Sequence, residues 1–225
     1  MTSSPLPAAF FDVDGTLTSS NIVLVFLSLQ RSRLKRFRWW LWLLAFFPKL
    51  LYYALLDMVD RTAFNIAFSR NYRGVTIQEI DAWRNGPARA FWERKVFPQA
   101  AREVERLKQE GRLVVILSGG LHPLLQPLAQ RLGADALYAS QPEIVNGVLT
   151  GNLVGYPLVN ECKAVAVKDA ALFLNLNLQD TYAYADSYSD RFFLEAAGKP
   201  VAVNPSRRLR KLAAQRSWPI RRWRG

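Results

Sequence analysis

Cysteine and histidine are almost missing from this chain, which has one of each, Cys162 and His122. One thiol excludes an intramolecular disulfide, so the fold does not depend on an oxidising compartment. One imidazole excludes a zinc site built from several histidines, and nothing beside Cys162 completes a Cys–His pair. His122 is therefore expected to be no ligand, and Cys162 to be a small packing residue. Acid is scarce too: Asp+Glu 18 against Lys+Arg 30 leaves a formal charge of +12. No acid follows Glu195, while Arg207, Arg208, Arg210, Lys211, Arg216, Arg221, Arg222 and Arg224 accumulate in the tail. Such a surface favours anionic partners. The tail itself reads either as a solubilising terminus or as an anionic docking surface. No recognised nucleic-acid module accompanies it, so nucleic acid is not an expected partner. The amino terminus lacks a basic stretch followed by an apolar one, and its first strand begins by residue 8, which points to a cytoplasmic core.

What is present is apolar. With 225 residues, 50% of them hydrophobic, the chain can bury a real core, and its length suits one domain carrying an insertion. Residues 8–11 read as a buried strand, and Asp12 and Asp14 follow at its carboxyl end with Gly15 to turn the backbone away. On a regular strand these two carboxylates share one face, an arrangement that calls for a cation. A hard oxygen site of this kind suits Mg²⁺, with one carboxylate free to attack an electrophile. The plainer alternative is an Asp-Gly turn in which Asp12 caps the next element.

Residues 22–29 are nearly all apolar, Arg31, Arg33, Lys35, Arg36 and Arg38 form a basic block, and residues 39–56 are apolar again apart from Lys49. As one helix the last stretch is roughly 27 Å long, close to the ~30 Å of a hydrocarbon core. A single crossing, however, would separate Asp12 from every later segment, and the pieces on either side of Pro48 are too short to cross separately. Lys49 near mid-bilayer would add about 2.5–3.5 kcal/mol. An interfacial or re-entrant element is therefore expected, with basic residues on head groups and tryptophans at the boundary. The competing reading is a helical cap that packs on itself and on the core. Residues 57–97 continue as helical pieces, so residues 19–96 form an inserted helical module and residues 1–18 with 97–225 the core.

Beyond Pro98 the pattern alternates. A helix over 99–109 leads to the β-branched run 113–117, followed by Ser118-Gly119-Gly120 and a helix through Leu132. A hydroxyl and glycine amides ahead of a helix make an anion cradle, or else a plain cap. Residues 136–139 form another strand, and 143–150 a hairpin turning at Asn146-Gly147. Lys163 opens a helix over 164–174 against the macrodipole, which suits an anion partner. Strands over 181–185, ending at Asp186-Ser187-Tyr188-Ser189-Asp190, and over 201–203 complete an α/β protein with a Rossmann-like parallel sheet.

In this order and spacing, Asp12-Val13-Asp14-Gly15-Thr16, Ser118-Gly119-Gly120, Lys163 and Asp186-xxx-Asp190 resemble the four motifs of the haloacid dehalogenase superfamily of phosphatases. The insertion after the first motif, Asn146-Gly147-xxx-Thr150-Gly151 and Val201-Ala202-Val203-Asn204-Pro205 resemble its phosphoserine-phosphatase-like subfamily. The resemblance implies that Asp12 attacks phosphorus to form an aspartyl phosphate, while Asp14 protonates the leaving alkoxide and then activates water. It also implies Mg²⁺ on Asp12, the carbonyl of Asp14 and Asp186. Ser118 and Gly119 would hold phosphoryl oxygens, Lys163 would neutralise charge, and Asp190 with Ser189 would support the site. Such enzymes work chiefly by positioning and charge neutralisation.

Two departures narrow the substrate. Asn21 stands where phosphoserine phosphatases carry a glutamate for the substrate ammonium, and Ser189 where they carry an asparagine. Phosphoserine is therefore disfavoured. A tryptophan-rich insertion suggests an amphiphilic phosphomonoester, such as lysophosphatidate or phosphatidylglycerophosphate, met at the inner face of a membrane rich in anionic lipid. A soluble phosphate ester is the alternative within the same chemistry, and a catalytically silent membrane adaptor is the alternative outside it.

Overall fold

In the computed structural model, which describes residues 5–224, strand β1 (Ala8–Phe11) lies near the middle of the sheet and all four of its residues are buried. It pairs in parallel with β2 (Leu113–Leu121) on one side and β5 (Tyr182–Ala185) on the other. With β3 (Ala136–Val145), β4 (Val148–Val154), β6 (Lys199–Val203) and β7 (Ile220–Arg221) the sheet has seven strands, ordered β4-β3-β2-β1-β5-β6-β7. Every pairing is parallel except the β3–β4 hairpin. That hairpin turns at Asn146 and Gly147, both at positive φ, which suits a tight two-residue turn. The direction of winding reverses at β1, and such a switch point opens a crevice at the strands' carboxyl ends.

Alternation along the strands divides the core in two. Phe11, Ile116 and Tyr184 face one side, where Phe11 stacks on Tyr184 with ring centroids 4.3 Å apart, against α6 (Pro98–Gln109) and α7 (His122–Leu132). Phe10, Val115 and Ala183 face the other, against α8 (Glu161–Phe173), α9 (Arg191–Glu195) and α10 (Arg207–Gln215).

Between β1 and α6 come α1 (Ile22–Arg33), α2 (Arg36–Val59), α3 (Arg61–Ser69), α4 (Ile77–Arg84) and α5 (Pro87–Lys95). Thr18 bridges Val96, and Phe97 N–H donates to the Leu17 carbonyl at 3.0 Å, so the chain leaves and returns at one neck. The first core continues without a break from the sheet into these helices through Phe26, Phe68, Trp83 and Trp92. The hairpin also reaches across to them: Leu149 N–H donates to the Val75 carbonyl at 2.8 Å, and Gly74 N–H to the Leu149 carbonyl at 2.9 Å.

Two elements run beyond their expected limits. The α2 helix spans 24 residues and carries Pro48 in its interior, so the proline does not divide it. It is long and apolar enough to cross a membrane by length and composition, yet only 11% of its most apolar window is buried inside the protein. Strand β2 continues past Leu117 to Leu121, with a register shift between Ser118 and Leu121 that absorbs the glycine pair inside the strand.

Candidate active site

The backbone leaves β1 at Asp12, whose N–H still donates to the Tyr184 carbonyl at 3.0 Å, and then folds into a tight loop. Regular strand geometry therefore does not extend through Asp14, as the same-face reading required. Gly15 N–H donates to the Thr18 carbonyl at 2.9 Å, closing the loop. Gly15 sits at φ +74°, and a Cβ there would collide with the Asp186 carboxylate, so glycine is what lets the acid after β5 approach the loop after β1.

Lys163 lies in the first turn of α8, 2% exposed, with Nζ 2.6 Å from Asp12 Oδ1 and 2.8 Å from Asp190 Oδ1. Asp12, Asp186 and Asp190 each present an oxygen within 4.8 Å of the others. Asp14 stands outside this trio. Its Oδ2 accepts from the Ile22 N–H at 3.2 Å, at the start of α1, while its side chain still borders the same cavity. Ser118, 2% exposed, and Gly119 border that cavity as well, and the Gly120 N–H donates to Ser118 Oγ at 3.1 Å. A Cβ on Gly119 would stand 2.6 Å from Val159 Cγ1 and 3.2 Å from Asn65 Oδ1. Ser189 does not reach the trio: its Oγ and that of Ser187 share a hydrogen bond at 2.9 Å, bracing the turn that carries Asp190. His122 begins α7 and is absent from the cavity lining, as is Cys162 on α8.

Three carboxylates facing one ammonium leave excess negative charge. Burial pushes Asp186 well above the ordinary carboxylate range, and Asp12 and Asp190 push it further. Burial also raises Asp12, although Lys163 pulls against it. For Lys163, burial favours the neutral amine, but Asp12 and Asp190 outweigh it and hold the proton on. Burial first, and then the Asp12 charge, raise Asp14 to about 7. Among the described residues, Asp12 Oδ2, Asp186 Oδ1 and Asp190 Oδ2 are buried oxygens without any hydrogen-bond partner. Three carboxylates that each bring an oxygen to one point and each keep a buried oxygen unpartnered, short of positive charge, fit a divalent cation such as Mg²⁺.

The insertion supplies the opposite wall of a cavity of about 620 Å³, through Ile22 on α1, Leu50, Tyr53 and Asp57 on α2, and Arg61 and Asn65 on α3. Arg61 is a residue the motifs did not reveal. Burial disfavours its charge, but Asp190, Asp12, Asp57 and Asp14 together hold the proton firmly, and it forms no salt bridge with any of them. Its one signal in the sequence is its spacing from Asp57, four residues earlier, at the end of the apolar run. Asn21 also borders the cavity, where it caps α1 by accepting from the Leu24 N–H at 3.0 Å.

The family model of haloacid dehalogenase-like hydrolases matches residues 9–195, which include the acidic trio and Lys163. A phosphoserine phosphatase of Mycobacterium tuberculosis is 40% identical over 114 residues, covering 51% of this chain and 37% of that protein. The shared part thus spans little more than a third of that relative's length. A protein of Streptomyces azureus named for inhibition of morphological differentiation is 32% identical over 227 residues, covering 97% of this chain and 79% of the other. Among solved structures, a phosphoserine phosphatase bearing an analogue of the phospho-aspartyl intermediate superposes with a TM-score of 0.69 at 18% identity, covering 96% of this chain and 93% of that one. The chain belongs to the haloacid dehalogenase-like hydrolases.

Proposed function

We propose that this protein is a Mg²⁺-dependent phosphomonoesterase that works through an aspartyl phosphate on Asp12. Its substrate is an amphiphilic or lipid phosphate met at a membrane surface on the cytoplasmic side. The observation that carries the catalytic half is the convergence of Asp12, Asp186 and Lys163, from three separate parts of the chain, on one cavity, with Asp190 paired to Lys163 behind them.

Lys163 holds Asp12 Oδ1, which fixes the carboxylate and leaves Oδ2 unpartnered. Asp12 attacks phosphorus, forming an O–P bond as the ester P–O bond breaks, and Asp14 gives its proton to the departing alkoxide. Asp14, now a carboxylate, takes a proton from water, whose oxygen displaces Asp12 from phosphorus and releases inorganic phosphate. An acid near 7 is suited to both transfers at neutral pH. Ser118 and the Gly119 amide bind phosphoryl oxygens. Asp12, Asp186 and the Asp14 carbonyl would hold Mg²⁺, with Asp190 alongside. The bound ion supplies charge neutralisation for the phosphoryl group.

Phosphoserine is disfavoured, since Asn21 stands where the resemblance puts the ammonium-binding glutamate and spends its side chain on a helix cap. The apolar part of the cavity wall, Leu50, Tyr53 and Phe64, supports an amphiphilic substrate. A small soluble ester draws support from Arg61 and Asp57, a cation and an anion in the same wall. A phosphate-release screen across lipid and soluble esters decides between them, with Asp12→Asn as the control. Turnover of small polar esters alone would sink the lipid assignment, and activity surviving in Asp12→Asn would sink the mechanism.

A further inference from the structure

Among the described residues, nothing covers the outer side of α2. Trp39, Phe46 and Tyr53 turn inward, where Phe46 lies 5.6 Å from the Phe26 ring and Tyr53 lies 5.1 Å from that of Phe68. Trp40, Leu44, Phe47, Leu51, Leu55 and Met58, by contrast, are between 57 and 84% exposed. At about 100° per residue the whole exposed apolar set, from Phe37 to Val59, occupies one arc of roughly 140°, and no charged residue of α2 falls inside it. Arg38 and Lys49 project together from one flank of that arc. The opposite flank carries Ala54, Leu50 and Asp57, which line the catalytic cavity.

A helix whose inner side is fastened to the protein along its length cannot cross a bilayer. Both neighbours, α1 and α3, contribute to the core on which it rests, so its two ends stay on the same side. It can lie flat. The charges nearby select the kind of surface: Arg31, Lys35, Arg36 and Arg38 are exposed around its amino-terminal end, and among the described residues only Arg33 of this basic block pairs with an acid, Glu79, at 2.8 Å.

We propose that α2 lies in the plane of an anionic bilayer with its outer arc among the acyl chains. The cavity flank is then held at head-group level, and a phosphomonoester reaches Asp12 while its hydrocarbon stays in the membrane. Delivery in this form rests on the phosphatase reading of the site; insertion of the arc does not. Arg38 and Lys49, on the far flank, have the reach to meet lipid phosphates while their stems follow the helix.

The test compares the full chain with Leu44→Gln/Leu51→Gln/Leu55→Gln, three exposed positions outside the cavity lining. Sedimentation uses phosphatidylcholine vesicles with and without phosphatidylglycerol, and hydrolysis is followed on p-nitrophenyl phosphate and on phosphatidate carried in the mixed vesicles. The wild type should pellet with the mixed vesicles and far less with phosphatidylcholine alone, and the triple variant should lose at least tenfold in binding and in phosphatidate hydrolysis. Its p-nitrophenyl phosphate rate should stay within twofold, which also reports that it is folded. Equal vesicle binding by the two proteins overturns the proposal. So does a wild-type dimer by light scattering that the triple variant converts to monomer, since a second copy would then cover the arc. Lost binding with unchanged phosphatidate hydrolysis overturns the delivery step. If the wild type binds vesicles but hydrolyses no ester, soluble or lipid, the site reading fails while docking stands.

Discussion

Asp14 differs from its three acidic neighbours in position. The trio of Asp12, Asp186 and Asp190 gathers around one point, whereas Asp14 sits across the loop, accepts a hydrogen bond from the Ile22 N–H and is raised by burial and the Asp12 charge to about 7. In the proposed mechanism protonated Asp14 is the acid of the first step, so turnover should decline as pH rises through about 7 with esters of poor leaving groups. Esters of acidic phenols, which leave without a proton, should show a weaker decline. Asp14→Asn should lower kcat by about 10²–10⁴ on alkyl esters, and a variant with near wild-type kcat would remove Asp14 from the chemistry. At Gly15 the expectation is steric. Gly15→Ala puts a Cβ into the Asp186 carboxylate and onto φ +74°, so it should raise the Mg²⁺ concentration needed for half-maximal activity. An unchanged Mg²⁺ titration would show that the Asp186 position is not set by this contact.

At the scale of elements, α2 gives the sharpest contrast. Phe46 is 5% exposed and Phe47 is 69% exposed, yet they are adjacent and chemically identical. Phe46→Ala should cost about 3–5 kcal/mol by leaving a cavity among Phe26, Trp42 and Tyr53. Phe47→Ala should cost under about 0.5 kcal/mol. Equal losses by urea denaturation would contradict the inner and outer assignment of this helix. The α4 helix has a pH-sensitive tie. Burial works against ionisation of Glu79, but the hydrogen bonds from Arg33 at 2.8 Å and from the Thr76 N–H at 2.9 Å prevail, holding its pKa below the usual range. A depressed folded pKa stabilises above the unfolded value, about 4.3, and that stabilisation is lost as pH falls through the folded one. Glu79→Gln should therefore cost about 0.5–1 kcal/mol at neutral pH, a range kept low because the carboxylate is over a third exposed. At a pH below the folded value the cost should shrink toward zero. A penalty that is the same at both pH values would mean the charge plays no part.

At the scale of the molecule, the acidic trio brings the loop after β1 and the turn after β5 together, and the proposed cation would offset the repulsion between their like charges. Mg²⁺ should raise Tm, and EDTA should reverse the gain. Asp186→Asn should be at least as stable without metal and should no longer respond to it; a full Mg²⁺ response in that variant would place the ion elsewhere. Much of this arrangement was legible in advance because its signals are local. The apolar run of β1 ends in acids, the β-branched run of β2 leads to Ser118, and Asn146-Gly147 encodes its own turn, each through backbone preference or burial over a few residues. What lay beyond reach depends on distance in space. Arg61 belongs to no motif and enters the cavity only because α2 and α3 fold back over the strand ends, and Asp190 meets Lys163 only once β5 lies beside β1. The sequence by itself determined the order of strands and helices and the residue types available for chemistry, since these follow from local periodicity and side-chain character. Only the tertiary structure decided that Asp14 stands apart from the trio and that one side of α2 packs inward while the other remains bare. Both depend on which surfaces the chain brings together, and a helix apolar on all sides carries no mark of which side will be covered.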